Sequence, residues 1–191
     1  MTNTALDPAA PLVVDTAELG RSAGATVEVV REVVAPEAFG LEVYRVPESA
    51  PLAIDLRLTA VTEGVLANGE VEAPVSGECA RCLAPIEDTV RVPVQELYAY
   101  EGSVTEETTD ADEILRLQGD LLDLEPAVRD ALVLAMPVTP LCRPDCPGLC
   151  ADCGVPWDEL PADHRHESVD PRWAALEKLR FVDAEGDDGS K

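Results

Sequence analysis

The chain has 191 residues, with 14 Lys and Arg against 38 Asp and Glu, for a formal net charge of −24. That length accommodates one core domain with a small appendage. The charge repels phosphate backbones and attracts basic partners, which argues against general nucleic-acid wrapping. The opening twenty residues lack a basic lead and an apolar run of signal-peptide length, and nothing downstream approaches a membrane span. The expectation is a cytoplasmic protein with no membrane partner. Thiols stay reduced in that compartment, so clustered cysteines there read as metal ligands or redox groups rather than structural disulfides.

In chain order, residues 1–10 read as a disordered lead, and Leu12 to Asp15 as a short strand before a polar turn around Gly20 to Gly24. Thr26 to Val34 is rich in β-branched residues and Leu41 to Val46 alternates, so each predicts one strand, with Pro36 and Pro47 breaking the chain after them. Leu52, Ile54, Leu56, Leu58 and Ala60 mark a half-buried strand. From Val65 the odd positions stay apolar through Val75, in unbroken phase across Asn68-Gly69. An Asn-Gly turn would cut that period, which places the reversal at Glu63-Gly64 and a bulge at Gly69. A third alternation, Ile86, Val90, Val92, Val94, Tyr98 and Tyr100, follows Cys82, so the pair Cys79-x2-Cys82 sits at a hairpin tip.

Glu101 to Glu113 reads as a solvated acidic loop. A helix over 123–136 follows, with Asp123 as N-cap and Pro126 in its first turn. Its stripe of Leu124, Ala127, Val128, Ala131, Leu132 and Ala135 is suited to packing across the sheet, and Pro137 ends it. A last helix starts at Asp170-Pro171 and puts Trp173, Leu176 and Leu179 on one side. The expected fold is α+β. An antiparallel sheet with its packing helix occupies residues 11–136, a cysteine-rich zinc-knuckle and helix appendage occupies 137–181, and 182–191 is disordered like 1–10.

The chemistry is concentrated in Leu141 to Gly154, where Cys142, Cys146, Cys150 and Cys153 fall within twelve residues among Pro144, Pro147, Gly148 and Gly154. Thiolates at two- and three-residue gaps can converge on one tetrahedral ion, because tight turns point the sulfurs to the same side. Cys79 and Cys82 add a second C-x2-C, and the two histidines of the chain, His164 and His166, follow Cys153. Eight ligands make two tetrahedral sets of structural Zn2+. One grouping joins Cys79, Cys82, Cys142 and Cys146 on one ion and Cys150, Cys153, His164 and His166 on another. The competing grouping puts the four clustered cysteines on a single ion and leaves Cys79 and Cys82 unexplained. Iron shares the tetrahedral thiolate preference, so a rubredoxin-like site satisfies the same spacing. The spacing Cys146-x3-Cys150-x2-Cys153 also matches radical S-adenosylmethionine enzymes, but the barrel those enzymes build downstream has no room in residues 154–191.

No Gly-rich phosphate loop, serine elbow or H-E-x-x-H helix accompanies these ligands, and an all-protein four-ligand site is closed to substrate. This reads as structural metal in a protein that is not an enzyme and takes no small-molecule substrate. The alternative is a thiol redox protein using the C-x2-C pairs. That chemistry calls for a thiol at a helix N-terminus, whereas strands flank Cys79 and Cys82. A transcription role is disfavoured because neither predicted helix has the basic face that DNA entry requires.

The order of C-A-R-C-L (Cys79 to Leu83), a helix ending near Ala135-Met136-Pro137, P-L-C-x3-C-x-G-L-C-x2-C-G (Pro140 to Gly154) and D-P-R-W-x2-L-x2-L (Asp170 to Leu179) resembles the bacterial YceD family, the large ribosomal RNA subunit accumulation proteins. The resemblance spans residues 11–181. It implies a role in 23S rRNA accumulation and large-subunit biogenesis, without enzymatic activity. Where the family leads one to expect a C-x-C before D-P-R, this chain has His164-Arg-His166, which keeps ligand chemistry. At −24, contact with rRNA would need a local patch such as Arg143, Arg165, Arg172, Lys178 and Arg180. A basic ribosomal protein is the preferred partner.

Overall fold

A computed structural model describes residues 5–110, 114–166 and 172. The chain divides into two compact units, Met1–Gly148 and Leu149–Lys191. The first holds β1 (Val13–Asp15), β2 (Thr26–Val34), β3 (Phe39–Leu41), β4 (Tyr44–Val46), β5 (Pro51–Val61), β6 (Gly64–Glu78), β7 (Pro85–Ala99), α1 (Val104–Thr108), β8 (Leu115–Arg116), β9 (Leu121–Asp123) and α2 (Glu125–Ala135). The described part of the second unit contains one short 3-10 turn, Trp157–Glu159.

The main sheet runs β2-β5-β6-β4-β3, with β7 also paired to β6 and β8 to β7. All these pairings are antiparallel except β7 with β8, which is parallel. The period-2 residues explain which face is inside. Leu52, Ile54, Leu56, Leu58 and Ala60 of β5, Val65, Ala67, Val71, Ala73 and Val75 of β6, and Val92, Val94 and Tyr98 of β7 are all buried. Ala127, Val128, Leu132 and the following Met136 join them in one core. α2 packs against β7 and β3. The apolar stripe predicted from sequence is thus the face that covers the sheet, and each fully buried Leu or Val there contributes roughly 1.5–3 kcal/mol of transfer free energy.

Several local expectations need correction. Leu41 to Val46 is not one strand but parts of two, β3 and β4, which form a hairpin with Leu41 opposite Tyr44. The reversal before β6 is the two-residue turn Thr62-Glu63, since Val61 pairs with Gly64. Gly69 carries no bulge: Asn68, Gly69 and Glu70 face Arg57, Leu56 and Asp55 in unbroken register. Glycine is required there for a different reason, because a Cβ would lie 2.1 Å from the Asp55 carbonyl oxygen. The acidic stretch after Tyr100 includes the helical turn α1. It is tied to the β5-β6 turn, with the Thr105 N–H donating to Glu63 Oε2 and the Tyr100 N–H to the Glu63 carbonyl. Asp123 ends strand β9 rather than sitting at the N-cap, yet its Oδ1 still accepts the Glu125 N–H at 2.9 Å. β9 pairs with β1 in a separate two-stranded sheet that the sequence reading did not contain. The expected helix from Asp170 lies outside the described residues.

Candidate metal centre

β6 and β7 stay paired up to Glu78 opposite Pro85, so the six residues from Cys79 to Ala84 must reverse the chain. The Cys79 N–H donates to the Ala84 carbonyl at 2.8 Å, and the Leu83 N–H to the Cys79 carbonyl at 2.9 Å. Leu83 closes the turn with φ +60°, a left-handed conformation that an L side chain adopts at a cost. The chain returning from α2 docks on this tip through Ala80 N–H donating to the Pro140 carbonyl at 2.8 Å, which delivers Cys142 and Cys146. The Cys146 N–H donates to the Arg143 carbonyl at 3.1 Å, and Arg81 Nη1 donates to the Cys146 carbonyl at 2.8 Å.

The four sulfurs of Cys79, Cys82, Cys142 and Cys146 all lie within 4.8 Å of one another. Cys79 Sγ is 3.7 Å from Cys146 Sγ, and Cys82 Sγ is 3.6 Å from Cys142 Sγ. These separations are far too long for a disulfide, about 2.05 Å. They match the edge of a tetrahedron with metal–sulfur distances of about 2.3 Å, which is about 3.8 Å. Cys79 and Cys146 are buried and Cys82 is half-buried, with Cys142 exposed.

Proton affinities across the set are split. Burial raises that of Cys79, but N–H donation from the backbone of Cys142, Cys82 and Arg81 outweighs it and brings its pKa down to about 6. Burial and the neighbouring thiols of Cys146, Cys82 and Cys79 push Cys142 up to about 12. Cys79 and Cys142 are thus pushed in opposite directions within one set. A divalent ion removes that conflict, since coordinated thiols are deprotonated outright.

The second unit repeats the turn. The Cys150 N–H donates to the Val155 carbonyl and the Gly154 N–H to the Cys150 carbonyl, each at 2.8 Å. Gly154 has φ +70°, the role played by Leu83 in the first unit. The backbone N–H groups of Cys153 and Asp152 lower the Cys150 thiol. The sulfurs of Cys150 and Cys153 and a ring nitrogen from each of His164 and His166 lie within 4.8 Å of one another. Cys153 Sγ stands 3.6 Å from His164 Nε2, equal to the edge expected for one sulfur and one nitrogen on a tetrahedral ion, about 3.6 Å. Trp157 meets the His164 ring edge-on with centroids 5.7 Å apart, and His164 meets His166 at 4.4 Å.

All eight candidate residues are therefore brought together, as two sets of four rather than as one cluster of neighbouring cysteines. Both sets can hold a metal ion, and the donors fit: thiolate with thiolate in one, thiolate with imidazole in the other. Sequence reasoning missed Leu83 as a left-handed position, the Pro140 carbonyl as the docking acceptor and Trp157 beside His164. Of these only Trp157 left a signal, as an aromatic ring close after a knuckle. In the arginine patch, Arg143 Nε pairs with Asp145 at 3.2 Å, and Lys178 and Arg180 lie outside the described residues.

Comparison with known proteins gives this arrangement a family. The family model described as large ribosomal RNA subunit accumulation protein YceD matches residues 67–180, a span that includes all eight candidate ligands. The chain belongs to the YceD family. Among its relatives is an uncharacterized protein of Mycobacterium tuberculosis, 49% identical over 171 residues, covering 90% of this chain and 82% of the relative. An uncharacterized protein of Mycobacterium leprae is 39% identical over 173 residues, 91% of this chain and 79% of the relative. The uncharacterized Bacillus subtilis protein YlbN is 26% identical over 132 residues, 69% of this chain and 73% of its own length. No solved structure matches the chain. No helix among the described residues is long and apolar enough to cross a membrane.

Proposed function

We propose that this YceD-family chain is a non-enzymatic factor in large-subunit biogenesis that supports accumulation of 23S rRNA, with one structural zinc ion in each four-ligand set, and that it acts through a basic ribosomal protein. The observation that carries the reading is the family match across both ligand sets, in a family described by accumulation of large-subunit rRNA. The metal sites fit a structural role because each offers four protein donors and leaves no position for substrate. Four sulfurs within 4.8 Å of one another, two pairs of them at tetrahedral edge length, favour coordination over a two-thiol exchange pair. A net charge of −24 favours a cationic protein over rRNA as the direct contact.

Depleting the protein in its own cells and measuring the ratio of 23S to 16S rRNA tests the reading. It predicts a fall in 23S rRNA and in free large subunits, restored by the wild-type gene. An unchanged ratio would reject the role.

A further inference from the structure

β2 is an unpaired sheet edge among the described residues, shorter than the outer edge of β7 but, unlike it, without proline, and its geometry shows which backbone groups are free. It pairs only with β5, antiparallel, over nine residues from Thr26 to Val34. Just beyond either end, the Ala60 N–H donates to the Ala25 carbonyl and the Ala35 N–H to the Ala50 carbonyl, each at 2.9 Å. Those bonds continue the register of the strand, so the odd positions Val27, Val29, Arg31 and Val33 direct their backbone groups to β5. By the alternation of an antiparallel ladder, Thr26, Glu28, Val30, Glu32 and Val34 direct theirs outward. No backbone partner for these outward groups occurs among the described residues.

The side chains at the same even positions are exposed, with Val30 71% and Val34 51% accessible. Edge strands are usually blunted by charged side chains, proline, a bulge or short length. β2 has no proline, an unbroken register and nine residues. What it does have is charge, acidic at the outward positions Glu28 and Glu32 with Arg31 between them. Glu28 and Glu32 alternate with Val30 and Val34, and beside them lies a cavity of about 350 Å³ lined by Val30, Glu32, Asp55, Glu70, Glu72 and Arg91, among others. Arg57 pairs with Glu28 and Arg91 with Glu72, whereas Glu32 and Asp55 have no ion pair among the described residues.

We propose that the β2 edge binds an extended segment of a basic protein as an added strand. Main-chain bonds would form to residues 28, 30 and 32, with Arg or Lys side chains set against Glu28, Glu32 and Asp55. Strand addition takes its affinity from backbone pairing and its specificity from alternate side chains, which is what a free edge with alternating valine and glutamate offers. The charge commits the occupant. A second copy paired about Val30 would set Glu28 against Glu32 twice, and like charges directly opposed destabilise a strand pair. This inference rests on the proposed reading of a basic protein partner and specifies how that partner is held.

The probe is a capped decapeptide of alternating Arg and Val, with a version N-methylated along its backbone that keeps its charge and side chains but cannot donate backbone hydrogen bonds. Binding to the full chain should protect the amides of Glu28, Val30 and Glu32 from hydrogen exchange. N-methylation of the peptide, or Val30→Pro in the protein, should weaken binding roughly tenfold or more. Proline at 30 removes an outward N–H that takes no part in the β2-β5 ladder, a position where edge strands tolerate it. If that variant does not fold, exchange on the wild-type chain with the two peptides decides alone. Equal binding of both peptides, protection elsewhere on the sheet, or self-association through β2 would overturn the proposal. A fall in 23S rRNA on depletion with no peptide protection at β2 would keep the reading and remove the edge. Protection at β2 with unchanged rRNA would do the reverse.

Discussion

The two knuckles close with the same turn but are held by very different amounts of protein. Each has a first cysteine whose carbonyl accepts the N–H four residues on, from Leu83 in one case and Gly154 in the other. The first is the tip of two fifteen-residue strands, with two of its four ligands buried and a returning chain docked on it. In the second, one ligand of four is buried, and the described residues around it are turns and a 3-10 segment. The lesson is that one local turn can close a hairpin on an existing core or stand, among the described residues, with only turns and a 3-10 segment around it. On the proposed reading, an ion in the all-cysteine set would pin the chain after α2 to the sheet. The mixed set has no described strand or long helix to fall back on.

The largest effect that sharpens this contrast comes from removing one buried ligand. Cys79→Ser should release the first ion and destabilise the first unit by on the order of 4 kcal/mol, because metal-binding free energy is also folding free energy. Thermal melting with hydrogen exchange on β6 and β7 reads it. His164→Ala with His166→Ala should instead leave the exchange of β6 and β7 unchanged. Comparable loosening of the sheet by both would erase the distinction.

A smaller difference should show in metal release. With a limiting chelator the mixed set should lose its ion first, since two of its four ligands are exposed and a third half-buried, while Cys79 and Cys146 are buried. Time-resolved chelation on wild type and on each ligand variant assigns the phases. Release of the all-cysteine ion first would reverse the ranking.

The smallest effect concerns the shared turn. Leu83→Gly should leave stability unchanged or raise it by about 1 kcal/mol, by removing a left-handed non-glycine residue. Gly154→Ala should cost about 1 kcal/mol at the equivalent position. Denaturant midpoints measure both, and a loss of stability in Leu83→Gly or a gain in Gly154→Ala would mean that the turns are not equivalent.

Much of this was legible from residues. The odd positions from Val65 to Val75 kept one phase, so β6 could be read through Asn68-Gly69, and that reading put Cys79 and Cys82 at a hairpin tip. The short reach from Ala135 to Cys142 then made a set joining tip and return chain geometrically accessible. The parts that were missed have little local signal. The β3-β4 turn at Glu42-Val43 contains no glycine, proline or asparagine, so the hairpin read as a single strand. β8 and β9 are two and three residues long, too short to show a period. Leu83 gave no hint of positive φ because leucine rarely adopts it. Gly69 signals a bulge in the sequence, whereas its need is the close approach of the Asp55 carbonyl, a partner fixed only by strand register.

Metal content per chain tests the central claim most directly, because the account requires the clustered cysteines to be divided between two ions. Elemental analysis of wild type should give two zinc ions per chain, and His164→Ala with His166→Ala should give one. One zinc ion per chain in both samples would contradict the two-centre arrangement.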